Sequence, residues 1–292
     1  MRVLIIANPV VGISKEKRSI LEEITSAIKK HGGSVDVTYT IKPGIGRNLS
    51  SRAGMEGYDA IYAAGGDGTI NDAASGLVGH KIPLGIIPLG TGNGLARGLG
   101  IPFDTKSLIE ILLRNKITSI DTGKIASNIF LATAGIGFDA RIAVDFNRTR
   151  KSKTNIMQYF YFAVRNYFLG RPEKLTLIVD GRELKRTVFA LTICNLPQYG
   201  GGAIIAPQAD PRSGKLIAVL IPKFGMFKAL QVTPKLFNGT ADEIKELEYL
   251  TFESLIIKRE RADVFHVDGE TRKGDSTLKV SVLPSSLKII TP

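Results

Sequence analysis

The 292-residue chain has no tryptophan, one cysteine and three histidines. The missing tryptophan excludes nothing. The single cysteine, Cys194, excludes an intramolecular disulfide and fits a reducing compartment. It stands in a strand-like apolar run, so a buried, inert thiol is expected. No apolar stretch approaches the ~20 residues a membrane-spanning helix needs. Met1 to Ala7 is too short for the apolar part of a secretion signal. The expected location is therefore cytoplasmic. Internal repeats, low-complexity segments and the GxxxxGK[ST] loop of P-loop enzymes are absent. Zinc-knuckle spacing and RNA-binding aromatic signatures are missing too, so nucleic acid is not an expected partner. Acidic residues are in short supply: 27 against 39 Lys and Arg, a net charge of +12. That excess suits polyphosphate ligands or an anionic membrane surface.

What is present is ordinary for a soluble globular protein, with 43% hydrophobic and 23% charged residues. The length suits one large domain or two medium ones. In the first half, strand and helix signals alternate. Strands are expected at Arg2 to Ala7, Val35 to Thr40, Tyr58 to Ala64 and Pro83 to Pro88. Between them, helices are expected at Lys15 to Lys30 and Gly44 to Met55, after Thr69, and at Leu95 to Leu99. This alternation argues a parallel sheet with helices on both faces. On such sheets ligands lie at the carboxyl ends of the strands. Three turns fall at those ends: Asn8 to Gly12, Gly65 to Thr69 and Gly90 to Asn93.

The second turn, Gly65-Gly66-Asp67-Gly68-Thr69, links a strand to a helix. Glycine allows positive φ and close approach of a ligand to the backbone. A helix N-terminus offers unpaired N–H groups to phosphate. An aspartate in such a turn is a candidate to hold a nucleotide-bound Mg²⁺, directly or through water.

From about Ile120 the pattern changes. Strands are expected at Ser119 to Ile125, Ile129 to Ala134, Lys174 to Val179, Arg186 to Cys194, Leu216 to Ile221 and Phe252 to Lys258. Lys279 to Leu283 and Leu287 to Ile290 close the series. Helices are expected only at Ala140 to Arg165 and Met226 to Phe237. This half reads as an antiparallel sandwich or barrel-like domain. Arg148, Arg150, Lys151 and Lys153, followed by Tyr159 to Phe162 and Phe168, suit a headgroup-level surface.

Gly65 to Thr69 resembles the GGDGT signature shared by the diacylglycerol kinase catalytic family and NAD kinases. The continuation Ile70-Asn71-Asp72 resembles the lipid kinases, which follow with an apolar residue, Asn and an acid. The chain is thus similar to soluble bacterial-type lipid kinases, related to sphingosine kinases. That resemblance implies an α/β plus β fold. A Rossmann-like three-layer domain would cover 1–120, with 276–292 returning to it, and an antiparallel β-sandwich domain that binds lipid would cover 121–275. It implies ATP and Mg²⁺, with γ-phosphate passing to a lipid hydroxyl in the cleft between the domains.

The resemblance also carries over residue by residue. Asn8 and Gly12, with Lys15, resemble the opening NPxSGxxK pattern, although Val11 stands where Ser is usual. Thr40 matches a nucleotide-contacting strand end. Gly90-Thr91-Gly92-Asn93 resembles the GTxN turn, with Gly94 replacing the usual acid. Nucleotide contacts are therefore expected from Asn8, Gly12, Thr40, Gly65, Gly66, Asp67, Gly68, Thr69, Asn71, Gly90, Thr91 and Asn93. Asp268-Gly269-Glu270 resembles the DGE motif, in which an acid takes the lipid hydroxyl's proton. Either Asp268 or Glu270 is the candidate, and Asp-Gly is equally at home in a hairpin turn. Cys194 to Gly202 and Ala206 to Asp210 resemble the segment that holds a structural Mg²⁺ in bacterial members. Asp210, Ser213 and Lys215 take its positions, with Ser213 replacing an Asp. Thr133 to Ala140 matches a segment that looks like domain-joining structure. The partners implied are a lipid substrate, an anionic membrane surface and a second copy in a homodimer. The rival readings are an NAD kinase and a catalytically silent nucleotide-binding regulator. Which lipid is phosphorylated stays open.

Overall fold

A computed structural model of the chain describes residues 1–9, 14–40, 42, 44–90, 92–149, 164–200 and 202–292. They form two units, Met1–Thr122 with Pro284–Pro292, and Gly123–Leu283.

In the first unit the elements run β1 (Arg2–Ala7), α1 (Lys15–Lys30), β2 (Ser34–Tyr39), α2 (Ile45–Arg52), β3 (Ala60–Gly65), α3 (Asp67–Ser75), β4 (Leu84–Pro88), α4 (Gly94–Gly98) and α5 (Thr105–Arg114). The strands pair in parallel in the order β2-β1-β3-β4. Every residue of β3 and β4 is buried, as is β1 after Arg2. Strands covered on both faces need such continuous apolar runs. The chain moves from β1 outward to β2, then back past β1 to β3. Right-handed crossovers then set α1 on one face and α2 and α3 on the other. Accordingly α2 packs against α3, and α1 against α5. The order reverses between β1 and β3, where a doubly wound sheet opens a crevice at its carboxyl edge. Helix α5 is an addition to the expected elements. Asp104 caps it, accepting from the Ser107 N–H at 2.8 Å, and Leu108 and Leu112 face the core.

The second unit opens with the end of β5 (Ile117–Ile125), followed by β6 (Asn128–Phe130), β7 (Thr133–Gly137) and α6 (Phe138–Thr149). Residues 164–169 are helical. Then come β8 (Glu173–Val179), β9 (Arg182–Val188), β10 (Ala190–Cys194), β11 (Gln198–Gly200), β12 (Ala203–Ile204), β13 (Leu216–Ile221) and α7 (Met226–Phe237). The series ends with β14 (Glu248–Phe252), β15 (Ser254–Arg259), β16 (Asp263–Val267), β17 (Glu270–Gly274) and β18 (Thr277–Ile290). One antiparallel sheet runs β14-β13-β10-β7-β16-β17, and the other β18-β15-β8-β9. Their inner faces share one apolar cluster, including Ile136, Leu177, Leu191, Ala218, Ile257, Phe265 and Val280. This is a β-sandwich.

Three expected strands each proved to be two. Ile129 to Ala134 breaks at Leu131–Ala132, Arg186 to Cys194 at Phe189, and Phe252 to Lys258 at Glu253. The last two breaks are sandwich corners, where the chain passes from one sheet to the other. At Phe189 the run stays apolar around the corner, because both sheets face the same core, whereas the other corner is made by the exposed Glu253 and Ser254. Conversely, β18 is one strand through Pro284, where two were expected. Its start pairs with β15, and its end returns to the first unit, with Ile289 opposite Leu84 of β4. Residues 276–283, expected in the first domain, therefore lie in the second. Thr133 to Ala140 is not a joint: Thr133–Gly137 is an inner strand, β7, between β10 and β16.

Candidate functional site

The carboxyl edge of the first unit's sheet gathers the expected nucleotide residues. Asn8 follows β1, its N–H donates to the Ala64 carbonyl at 3.0 Å, and its Nδ2 reaches Thr69 Oγ1 at 3.4 Å. Thr40 follows β2, with its N–H on the Ala7 carbonyl at 2.9 Å. The Leu89 N–H donates to the Gly65 carbonyl at 2.9 Å, so the turns after β3 and β4 run side by side. Asn93, in the left-handed region, closes its own turn: its Oδ1 accepts from the Gly90 N–H and its Nδ2 donates to the Gly90 carbonyl, both at 2.9 Å. Asn71 lies further along α3, with Oδ1 facing Ser75 Oγ at 3.4 Å. Gly12 and Thr91 lie outside the described residues. Thus Asn8, Thr40, Gly65 to Thr69, Gly90 and Asn93 share one edge, and the first N–H groups of α3 have no acceptor within the helix.

The two glycine turns touch. A Cβ built on Gly90 would lie 2.5 Å from Gly66 Cα and 2.8 Å from Asn93 Oδ1. Any side chain there would push apart the turns that line this edge. Gly90→Ala is expected to destabilise the first unit by ~1–3 kcal/mol. Misplacing the turns should also lower, roughly tenfold to a hundredfold, the phosphoryl transfer that the resemblance implies. Gly94→Ala is the matched control, because nothing lies within 4 Å of its Cβ. Melting curves and initial rates of both variants check this.

Asp67 has a structural task as well. Its Oδ2 accepts from the Gly94 N–H at 3.1 Å and its Oδ1 from the Leu95 N–H at 3.0 Å. The first donors of α4 are therefore taken by a carboxylate of the neighbouring turn, whereas the first donors of α3 have no acceptor within their own helix. Asp72, the acid of Ile70-Asn71-Asp72, caps a third helix. It accepts from the Gly44 N–H at 3.1 Å and the Gly46 N–H at 2.9 Å, at the start of α2.

In the second unit, Asp268 and Gly269 form the two-residue loop of the β16–β17 hairpin, with Val267 opposite Glu270. Their φ values of 46° and 81° are those of a type I′ turn. The hairpin reading of Asp-Gly is thus correct for the backbone. The Asp268 carboxylate does more: Oδ2 accepts from the Leu131 N–H at 2.8 Å, and Oδ1 from the Ala132 and Thr133 N–H groups at 2.9 Å. From another side, Asn195 holds the same segment, its Nδ2 on the Leu131 carbonyl at 2.8 Å and its N–H on the Ala132 carbonyl at 2.9 Å. The DGE turn and the Cys194–Gly202 segment therefore meet at residues 131–133. Glu270 opens β17 and is half-buried.

A second junction centres on Asp139, buried in the first turn of α6. Its carboxylate accepts from the hydroxyls of Thr192 on β10 and Tyr199 on β11. The ring of His266 is buried with Nε2 3.8 Å from Asp139 Oδ2. His266 packs rather than facing solvent. Cys194 is buried, and that burial pushes its thiol pKa well up, with Asp139 adding to the shift, so it is unreactive as expected.

Comparison with known proteins bears directly on this arrangement. The profile of the diacylglycerol kinase catalytic domain matches residues 2–125. The profile described as the YegS C-terminal NAD kinase beta sandwich-like domain matches residues 132–291. A diacylglycerol kinase of Mycobacterium tuberculosis is 31% identical over 255 residues, covering 84% of this chain and 81% of that protein. The chain belongs to the diacylglycerol kinase family. A probable lipid kinase YegS-like of Pseudomonas putida is 29% identical over 211 residues, 70% of this chain and 71% of that one. In fold, the crystal structure of a putative diacylglycerol kinase from Bacillus anthracis superposes with a TM-score of 0.80 at 20% identity, covering 100% of this chain and 97% of that one.

Two cation positions are expected in a diacylglycerol kinase, and the residues treat them differently. A nucleotide-borne Mg²⁺ takes one or two protein carboxylates and completes its shell with phosphate and water. Asp67 supplies one carboxylate beside the glycine turns. Its two N–H bonds leave capacity among the roughly four lone-pair positions of a carboxylate. The residues there fit. The structural site at Asp210, Ser213 and Lys215 does not. Arg212 Nε lies 3.1 Å from Asp210 Oδ1, and the Arg212 N–H donates to the same oxygen at 3.0 Å. Ser213 Oγ is within hydrogen-bonding distance of the carbonyls of Asp210, at 2.8 Å, and Lys215, at 3.2 Å. One carboxylate already paired with a guanidinium, one hydroxyl and one ammonium are not a hard-cation ligand set. No cluster of three or more His, Cys, Asp or Glu able to hold a metal occurs among the described residues.

Proposed function

We propose that this diacylglycerol kinase family member is an ATP- and Mg²⁺-dependent lipid kinase that transfers γ-phosphate to a lipid hydroxyl. The observation that carries the reading is the convergence of Asn8, Gly65 to Thr69, Gly90 and Asn93 at the reversal point of the first unit's sheet. Backbone approach there is close enough to exclude a Cβ at Gly90. The N–H groups that open α3 bind phosphate. Asp67 serves the cation, which neutralises charge on the phosphates when bound. In the second unit, Asp268 fixes the turn and Glu270 takes the proton of the acceptor hydroxyl. Three N–H donors on Asp268 support this division of labour, because they hold its oxygens in place as acceptors. The enzyme works at an anionic membrane surface as a peripheral protein. No helix among the described residues is long and apolar enough to cross a membrane.

The test is transfer of labelled γ-phosphate from ATP–Mg²⁺ to a panel of lipids, with NAD in parallel. A labelled lipid is expected. Labelled NADP, or bound ATP with no product, would overturn the reading in favour of an NAD kinase or a silent regulator. Asp67→Asn is expected to lower transfer roughly 10²- to 10³-fold. It should cost only ~1 kcal/mol of stability, because one oxygen still accepts from α4. An Asp67→Asn enzyme with unchanged rate would reduce Asp67 to a helix cap.

A further inference from the structure

Helix α7 is apolar on two opposite faces. Val232 and Leu236 point inward, into a cluster with Cys194, Ile217 and Val219. At 3.6 residues per turn, the opposite arc carries Met226, Phe227, Leu230, Pro234 and Phe237. All are exposed, Phe227 to 85% and Leu230 to 68%. An apolar helix face is normally covered by a partner. The helical residues 164–169 extend the patch, with Phe168 59% and Leu169 65% exposed. They are tied to the start of α7: the Tyr167 hydroxyl donates to the Phe224 carbonyl, and Lys223 Nζ donates to the Gly170 carbonyl at 2.7 Å. Lys223 also lies 5.3 Å from the Phe189 ring centroid. The two apolar segments thus flank one junction. Exposed apolar side chains gathered on both sides of one junction mark an interaction surface.

We infer that this face of the second unit, α7 with residues 164–169, is where the protein seats on a bilayer containing anionic lipid. Charge selects that occupant. Arg171 and Lys223 lie exposed at the rim, and Arg171 has no ion pair among the described residues. The helix's own lysines, Lys228 and Lys235, are paired with Glu246 and Glu243 at 2.8 and 2.9 Å, on its flanks. No acid stands on the outward arc. A second copy docked about a two-fold axis would set one cationic rim against another. A headgroup layer supplies the missing negative charge, and the acyl boundary covers the apolar arc. This inference rests on the lipid-acceptor reading for its biological sense, but its measurement does not need turnover.

The chain has no tryptophan, so Phe227→Trp makes a single fluorescent reporter. With vesicles of phosphatidylcholine and phosphatidylglycerol, its emission is expected to shift to the blue and to be quenched by brominated acyl chains. Met55→Trp, at a position 83% exposed in the first unit, is expected to stay unquenched. In sedimentation without ATP, the Phe227→Glu, Leu230→Glu double variant should bind such vesicles at least about tenfold more weakly than the native chain, with an unchanged melting temperature. Arg171→Gln should flatten the salt dependence. An unquenched Trp at 227, or a double variant that sediments like the native chain, would overturn the inference. So would a blue shift on self-association without lipid, which would assign the face to a second copy. If vesicles bind through this face but no lipid is labelled, the docking surface stands and the kinase reading falls.

Discussion

Replacing Glu270 with Gln is expected to lower phosphoryl transfer roughly 10²- to 10⁴-fold, the usual contribution of a positioned general base. Gln keeps the size and the hydrogen-bonding reach of Glu but cannot take a proton. The backbone at 270 is fixed by its pairing with Val267 and by the type I′ turn before it, neither of which uses the Glu270 carboxylate. Because Gln also keeps the hydrogen-bonding reach of Glu, the melting temperature should move by only a few degrees, ~2–4 °C. ATP binding, measured by equilibrium dialysis, should also persist, because the residues gathered at the α3 turn belong to the other unit. A variant that transfers at the native rate would remove Glu270 from the chemistry.

The second large effect is on stability and falls on Asp268. Asp268→Ala removes the acceptor of three N–H groups in Leu131, Ala132 and Thr133, all buried residues. A buried N–H without an acceptor costs ~1–3 kcal/mol, and the three share one segment, so the sum is not additive. Alanine is also a poorer residue than Asp at a φ of 46°. A loss of roughly 3–5 kcal/mol is expected, read as a fall of about 10 °C in the melting of the second unit. Asp268→Asn should lie between, since one oxygen still accepts and Asn tolerates the left-handed backbone. The alternative result is equally clear: an Asp268→Ala protein that melts like the native one but transfers nothing would exchange the roles of Asp268 and Glu270.

Much of this was visible in local pattern. Lys15–Lys30 follows its helical period to the residue at both ends, and β1, β3 and β4 are the continuous apolar runs that a doubly covered parallel strand demands. The glycine turns were visible because only glycine permits Gly90 to approach Gly66 so closely. What stayed hidden depends on partners far along the chain. Asp67 reads as a turn residue, and nothing near it announces that Gly94 and Leu95 will donate to it. Asp72 reads as a motif acid, yet its partners Gly44 and Gly46 lie a strand away. Asp139 gave no signal, because Thr192, Tyr199 and His266 reach it from three separate elements. The sandwich corner at Phe189 was hidden for the opposite reason, since hydrophobicity continues through it.

The return of β18 to β4 has a consequence for how the molecule is assembled. The strand that seals the open side of the first unit's sheet is separated from β4 by the entire second unit. As the polypeptide emerges from the ribosome, the first unit therefore waits with one sheet margin bare until the sandwich has been synthesised. A bare margin can pair with other chains. Fragments ending after Thr122 should accordingly aggregate, and adding residues 284–292 as a separate peptide should rescue their solubility. The order of synthesis thus makes completion of the first unit depend on residues beyond the second.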